Sequence, residues 1–224
     1  MKTLKNIRKF STALLLLICT IISGFGICRA PDSDQKILEQ ELEQNALLLE
    51  QTQTAFAVQK NSSGSPGAEK QADTISVIGD SVFLGAAPAF QKVQKNVIIN
   101  AKISRQVYHG IDVAKKMKKK GTLGNTVILS LGTNGNFNPA TGQALIDFLG
   151  KNRKIYWVNI YGKNIGWQKK VNKTIQELAK KNENVTVINW AKTAKKHADW
   201  FYQDGTHLNT KGQQGFARFI KKKL

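Results

Sequence analysis

Cysteine is almost missing. The 224 residues contain two, Cys19 and Cys28, both in one apolar segment near the N-terminus. The rest of the chain can therefore form no disulfide and use no thiolate. That does not exclude export, because a domain of about 150 residues buries enough core without cross-links. Histidine is nearly as scarce: His109, His197 and His207 lie far apart, and no His/Cys cluster has metal-ligand spacing. No metal and no cofactor is expected. Acidic residues are few where basic ones abound. Residues 75–224 hold 26 Lys and Arg against 7 Asp and Glu, a net charge of +19. Such a surface favours anionic partners: nucleic acid, anionic wall polymer or lipid headgroups. No recognisable nucleic-acid reading motif is present, so nucleic acid is not the expected partner.

What is there begins with an export pattern. Lys2, Lys5, Arg8 and Lys9 precede a 19-residue apolar run, Phe10 to Cys28. The run is about long enough to span a bilayer, and its basic head would leave the rest of the chain outside. Residues 1–30 read as a signal peptide or signal-anchor helix. Cys28-Arg29-Ala30 offers a cleavage site after Ala30, but Pro31 opposes it, so an uncleaved single-pass anchor is favoured over secretion. Ile27, not a small residue, argues against lipidation of Cys28. Residues 31–74 read as a helical stalk and flexible linker. Leu38, Leu42, Leu49 and Phe56 form a seam interrupted by Asn45 and Thr52, which is weak for a coiled coil and fits a solvated helix better. Ser, Gly and Pro then mark a linker from Asn61 to Asp73.

Residues 75–224 read as one α/β domain. Short apolar strands are expected at 75–78, 97–100, 126–131, 154–160 and 185–190. Helix-compatible stretches fall near 83–95, 105–120, 139–150, 165–183 and 209–223. Five strands separated by helices imply a three-layer α/β/α sandwich on a parallel sheet. Right-handed crossovers then put every strand's C-terminal end on one rim, where ligands bind in open sheets.

The chain is organised around Ile75–Ala86, where an apolar run meets Gly79-Asp80-Ser81 and helix-friendly residues follow. Gly79 permits a tight bend, Asp80 can cap the helix, and Ser81 becomes a hydroxyl at the rim. A serine is a weak nucleophile until a base takes its proton. His207 suits that task, and Asp204, three residues earlier, can fix its tautomer. Acyl transfer also builds an oxyanion that needs donors. The Ser81 amide, an amide in the Ser104 loop and the Asn134 side chain can supply them. Each piece also has an ordinary structural reading as a turn or a helix cap; convergence of distant loops on one rim is the argument. His109, His197 and the Lys115–Lys120 run read as surface, and the four tryptophans as packing.

Gly79-Asp80-Ser81, Gly132-Thr133-Asn134 and Asp204-Gly205-Thr206-His207, in this order, resemble three blocks of the SGNH (GDSL-type) hydrolase family. The likeness is closer still to the extracytoplasmic SGNH domain of bacterial peptidoglycan O-acetyltransferases, which also has a block like Ser104-Arg105-Gln106. The resemblance implies Ser81 as nucleophile, His207 as base and Asp204 as its orienter. It implies Ser81, Ser104 and Asn134 as oxyanion donors, with Ser104 standing where the family usually has glycine. It implies an extracytoplasmic serine esterase or O-acyltransferase acting on a cell-surface polysaccharide. Those acetyltransferases commonly carry a many-pass membrane domain before the SGNH domain. One apolar segment cannot replace it, so either a membrane acyl donor acts in trans or the enzyme only removes or moves acyl groups. The competing expectation is a basic, non-catalytic surface-binding domain that kept the fold.

Overall fold

The computed structural model describes residues 34–62 and 74–224. The expected anchor at 1–30 and residues 63–73 of the linker expected at 61–73 lie outside those residues, while Asn61 and Ser62 end a helix instead. Among the described residues, no helix is long and apolar enough to cross a membrane.

Five parallel strands form the sheet: β1 (Ile75–Gly79), β2 (Val97–Ala101), β3 (Thr126–Ser130), β4 (Lys154–Val158) and β5 (Val185–Ile188), in the order β2-β1-β3-β4-β5. The five strands fall where the sequence places them, each within a residue or two at its ends. Successive residues of β1 and β3 point to opposite faces, and both faces are buried. Val77 and Ile128 join one core layer, Ile78 and Leu129 the other. This is why the strands read as continuous apolar runs rather than alternating ones.

The helices are α1 (Asp34–Ser62), α2 (Ser81–Val93), α3 (Gly110–Lys119), α4 (Pro139–Leu149), α5 (Gln168–Lys181), α6 (Trp190–Ala194) and α7 (Thr210–Lys221). Helices α2 and α7 cover one face with Phe83, Phe90 and Phe216. Helices α3, α4 and α5 cover the other through Met117, Leu145, Leu149, Ile175 and Leu178. Trp190, expected to end the fifth strand, instead opens α6, because the Asn189 side chain caps that helix by accepting from the Lys192 amide. The chain leaves β1 for β2 on one side and then crosses back to β3 on the other. That reversal puts a crevice at the C-terminal ends of β1 and β3.

The stalk reading needs correction. Helix α1 exists, but it is packed against the domain rather than solvated. Leu38, Leu42 and Leu49 are 5–9% exposed and belong to the same core layer as α2. Asn45, the residue that breaks the seam, is buried and donates to the carbonyls of Leu84 and Gly85, each at 3.2 Å. The physical reason lies in α2. Pro88 sits inside that helix and has no N–H to offer the Leu84 carbonyl four residues back. Asn45 supplies the missing donor. A polar residue that weakens a coiled-coil seam is thus the residue that fits this groove.

Candidate functional site

At the end of β1 the chain turns at once into α2. A Cβ on Gly79 would lie 2.7 Å from the Phe83 Cβ, so only glycine permits the bend. The Asp80 amide donates to the Ser130 carbonyl of β3 at 3.0 Å, which ties the turn to the crevice. Asp80 Oδ1 accepts from the Val82 amide at 3.1 Å and caps α2. Ser81 follows as the first helical residue and is 4% exposed.

The opposite wall is the turn Asp204–His207. Asp204 Oδ1 accepts from the amides of Thr206 (2.8 Å) and His207 (2.9 Å). Its Oδ2 lies 2.5 Å from His207 Nδ1, and His207 Nε2 lies 2.9 Å from Ser81 Oγ. Serine, imidazole and carboxylate, 126 positions apart at their extremes, thus meet in one hydrogen-bonded line. Burial pushes the Asp204 carboxyl up, but the His207 ring and the two amides outweigh it and hold it below the ordinary carboxylate value.

The turn is braced from outside. The Tyr202 amide donates to the His207 carbonyl, and the Gly205 amide to the Tyr202 carbonyl, each at 2.9 Å. Tyr202 Oη donates to Glu41 of α1 at 2.9 Å, and Gln213 of α7 donates to the other oxygen of Glu41 at 2.5 Å. Burial and then that carboxylate push the Tyr202 hydroxyl up to about 12, so it stays a donor.

The loop after β3 carries Asn134 between Gly132 (φ +127°) and Gly135 (φ +146°), two conformations that favour glycine. Asn134 Nδ2 donates to the Arg105 carbonyl at 3.3 Å, which joins this loop to the Ser104 loop. Ser104 itself has φ +58°. Arg105 is a residue that sequence reasoning quoted but gave no task. It is 8% exposed. Its guanidinium donates to the Gly79 carbonyl (3.0 Å), to Asn100 Oδ1 (2.8 Å) and to the Asn100 carbonyl. One residue therefore ties together the β1 turn and β2 through its side chain and Asn134 through its backbone carbonyl. The available signal was an arginine set in a strand-end loop, away from the lysine-rich helix faces.

Asp80 is the other buried charge, 1% exposed. Burial pushes its carboxyl up to about 6, against the pull of the Val82 amide, Thr133 and, more distantly, His207. Its Oδ2 has no hydrogen-bond partner. Burial lowers Arg105 to about 10, with Asp80 pulling the other way, so the guanidinium stays charged at neutral pH. His109 and His197 do not join the site; each packs beside a neighbouring ring, Tyr108 or Trp200. Trp157 and Trp190 are core, while Trp167 is exposed and donates to the Gly132 carbonyl at 3.3 Å. Among the described residues, no three His, Cys, Asp or Glu side chains gather as metal ligands.

No family model matches the chain. The peptidoglycan O-acetyltransferase OatA of Listeria monocytogenes is 36% identical over 143 residues, which is 64% of this chain and 22% of that protein. The C-terminal catalytic domain of Streptococcus pneumoniae OatA, solved with a methylsulfonyl adduct, superposes with a TM-score of 0.59 at 26% identity. That match covers 67% of this chain and 92% of the solved domain. Over about two thirds of its length the chain is similar to these O-acetyltransferases. It spans about a quarter of the length of the curated relatives it matches. A GDSL-like lipase from Bacteroides thetaiotaomicron shares the fold, with a TM-score of 0.54 at 14% identity over 76% of this chain and 95% of that one. Ser104, expected from the resemblance to stand where glycine is usual, has a left-handed backbone, a conformation that glycine adopts readily.

Proposed function

We propose that this chain is an extracytoplasmic serine esterase or O-acetyltransferase of the SGNH type that works on acetyl esters of a cell-wall polysaccharide such as peptidoglycan. The observation that carries the reading is the 2.9 Å contact between Ser81 Oγ and His207 Nε2, with Asp204 2.5 Å behind the ring. Ser81 Oγ attacks the ester carbonyl while His207 Nε2 takes its proton, and Asp204 steadies the imidazolium. The negative charge that forms on the carbonyl oxygen is met by the amides of Ser81 and Ser104 and the side chain of Asn134; losing one such donor typically costs about 3–4 kcal/mol in the barrier. The tetrahedral intermediate collapses, His207 returns the proton to the departing sugar oxygen, and an acetyl-serine remains. Water, or a sugar hydroxyl, then attacks that ester with His207 again as base. Residues 10–28 would tether the enzyme to the membrane with the site outside, and a membrane protein acting in trans would supply acetyl groups if the reaction runs as a transfer. The excess of basic residues would hold the domain near anionic wall polymer.

The test is turnover of a chromogenic acetyl ester by the full chain. Helix α1 is part of the folded body, so a fragment starting at residue 75 is not an adequate substitute. Ser81→Ala should lower kcat/KM by at least about 10³-fold with little change in stability; undiminished turnover would rule out the assigned nucleophile. Mass spectrometry of wall glycan from cells lacking the gene then separates the two reactions. More acetylation means an esterase, and less means a transferase.

A further inference from the structure

A shallow, solvent-open recess lies between the loop after β4 and the start of α6. Its volume is about 400 Å³, and it is lined by Tyr161, Gln168, Asn189, Ala191, Lys192 and Lys195. We propose that it is a subsite for a carboxylate-bearing sugar unit of the glycan. The proposal rests on the reading of Ser81 and His207 as a site acting on polysaccharide.

Position supports it first. Tyr161 belongs to the loop that follows β4, and that loop is fastened to the reactive turn. The Lys163 amide donates to the Gly205 carbonyl at 2.9 Å. A Cβ on Gly162 would come within 2.5 Å of Thr206 Oγ1. The other wall comes from the end of β5 and from α6. The subsite would take a unit neighbouring the one that presents its ester to Ser81.

The polarity of the lining supports it further. Gln168 spends its side-chain oxygen internally, accepting from the Gly162 amide at 2.7 Å. Asn189 does the same, accepting from Asn159 Nδ2 at 3.0 Å and from the Lys192 amide at 3.2 Å. Each amide keeps its NH2 group as a donor. Lys192 and Lys195 add two exposed ammonium groups, and no acidic side chain lines the recess. The site is thus rich in donors and poor in acceptors, so it favours a ligand rich in oxygen acceptors that carries negative charge. Tyr161, half-buried and steadied by Phe201 with ring centroids 5.2 Å apart, supplies an apolar surface for the C–H face of a pyranose ring. The volume is at the lower end of small-molecule sites, which suits one sugar unit rather than a folded chain.

The experiment uses the full chain and two pyranose probes that differ at C6 alone, glucuronic acid with a carboxylate and glucose with a hydroxymethyl group, followed by titration in NMR. Glucuronic acid should bind and glucose bind at least tenfold more weakly. Lys192→Gln with Lys195→Gln should weaken glucuronic acid at least tenfold. Lys119→Gln with Lys120→Gln removes the same charge from the far helix face and should leave binding unchanged. Turnover of a small chromogenic acetate by the Lys192/Lys195 variant should match that of the parent. Equal binding of the two sugars, or equal weakening by the two lysine pairs, overturns the subsite, because only diffuse charge would then be at work. A collapse of chromogenic turnover in the Lys192/Lys195 variant also overturns it, since those residues would then belong to the reaction centre. Ser81→Ala should lose turnover and keep glucuronic acid binding. If Ser81→Ala keeps turnover, the catalytic reading fails while the titration still decides this one.

Discussion

The two walls of the site are built differently. The Ser81 wall is dry: Asp80 and Ser81 are 1% and 4% exposed, and Arg105 beneath them is 8% exposed. It is held by strand ends and by a guanidinium that touches two backbone carbonyls. The His207 wall is wet: the His207 and Asp204 side chains are 23% and 40% exposed. It is held by a local turn and by the Tyr202–Glu41 brace. The contrast teaches where stability and chemistry separate. Apart from the Ser81 hydroxyl itself, a change in the dry wall should disturb the core as well as the reaction. A change in the wet wall should touch the reaction almost alone.

The largest effect should come from the wet wall. Asp204→Asn offers the His207 ring a donor in place of an acceptor, which fixes the wrong tautomer. A kcat loss on the order of 10³–10⁴-fold is expected for such a change, with the thermal midpoint nearly unmoved. A large drop in that midpoint would break the comparison. Next comes Arg105→Ala in the dry wall. It strips donors from the carbonyls of Gly79 and Asn100 and leaves Asp80 without its nearby cation, so denaturant unfolding should show a loss of about 3 kcal/mol. Activity should fall as well, because Asn134 is anchored on the Arg105 carbonyl.

Asp80→Asn sharpens the contrast through pH. In the folded protein the Asp80 carboxyl sits at about 6, above its ordinary 3.8. A raised value means the folded state holds the proton more tightly. Its stabilising contribution is therefore complete below pH 3.8 and is lost as pH rises through about 6. Asparagine cannot titrate, so the stability gap between variant and parent should move by about 3 kcal/mol in the variant's favour between pH 3 and 8. A gap that stays flat with pH would show that Asp80 is not buried as described. The smallest effect is expected from Ser104→Gly. It removes the cost of a left-handed backbone at φ +58°, and calorimetry should register a gain of about 1 kcal/mol or less with turnover retained.

Much of this molecule was legible before any coordinates. The strands were readable because a sheet covered on both faces demands unbroken β-branched runs, as in Ile75–Ile78 and Thr126–Leu131. The meeting of Ser81, Asp204 and His207 followed from strand direction, since parallel strands bring every exit loop to one rim. What stayed hidden depended on partners far away in sequence. Asn45 reads as a flaw in a seam until Pro88 is placed opposite it. Glu41 is one of many acids in a polar helix until Tyr202 and Gln213 reach it. Arg105 is one of 34 basic residues; its place in a strand-end loop hints at a task, but only its burial reveals it. Periodicity reports which face of an element is apolar, not which element will cover it.

The Glu41 brace joins residues 161 and 172 positions apart. Closing so long a loop is slow and comes after local structure has formed. While the chain is being made, β1 and the start of α2 emerge early, yet the imidazole that faces Ser81 arrives near the end. On the proposed reading, a partly synthesised protein thus displays an unassisted serine, and reactivity would switch on only when the last stretch of chain folds back to grip helix α1.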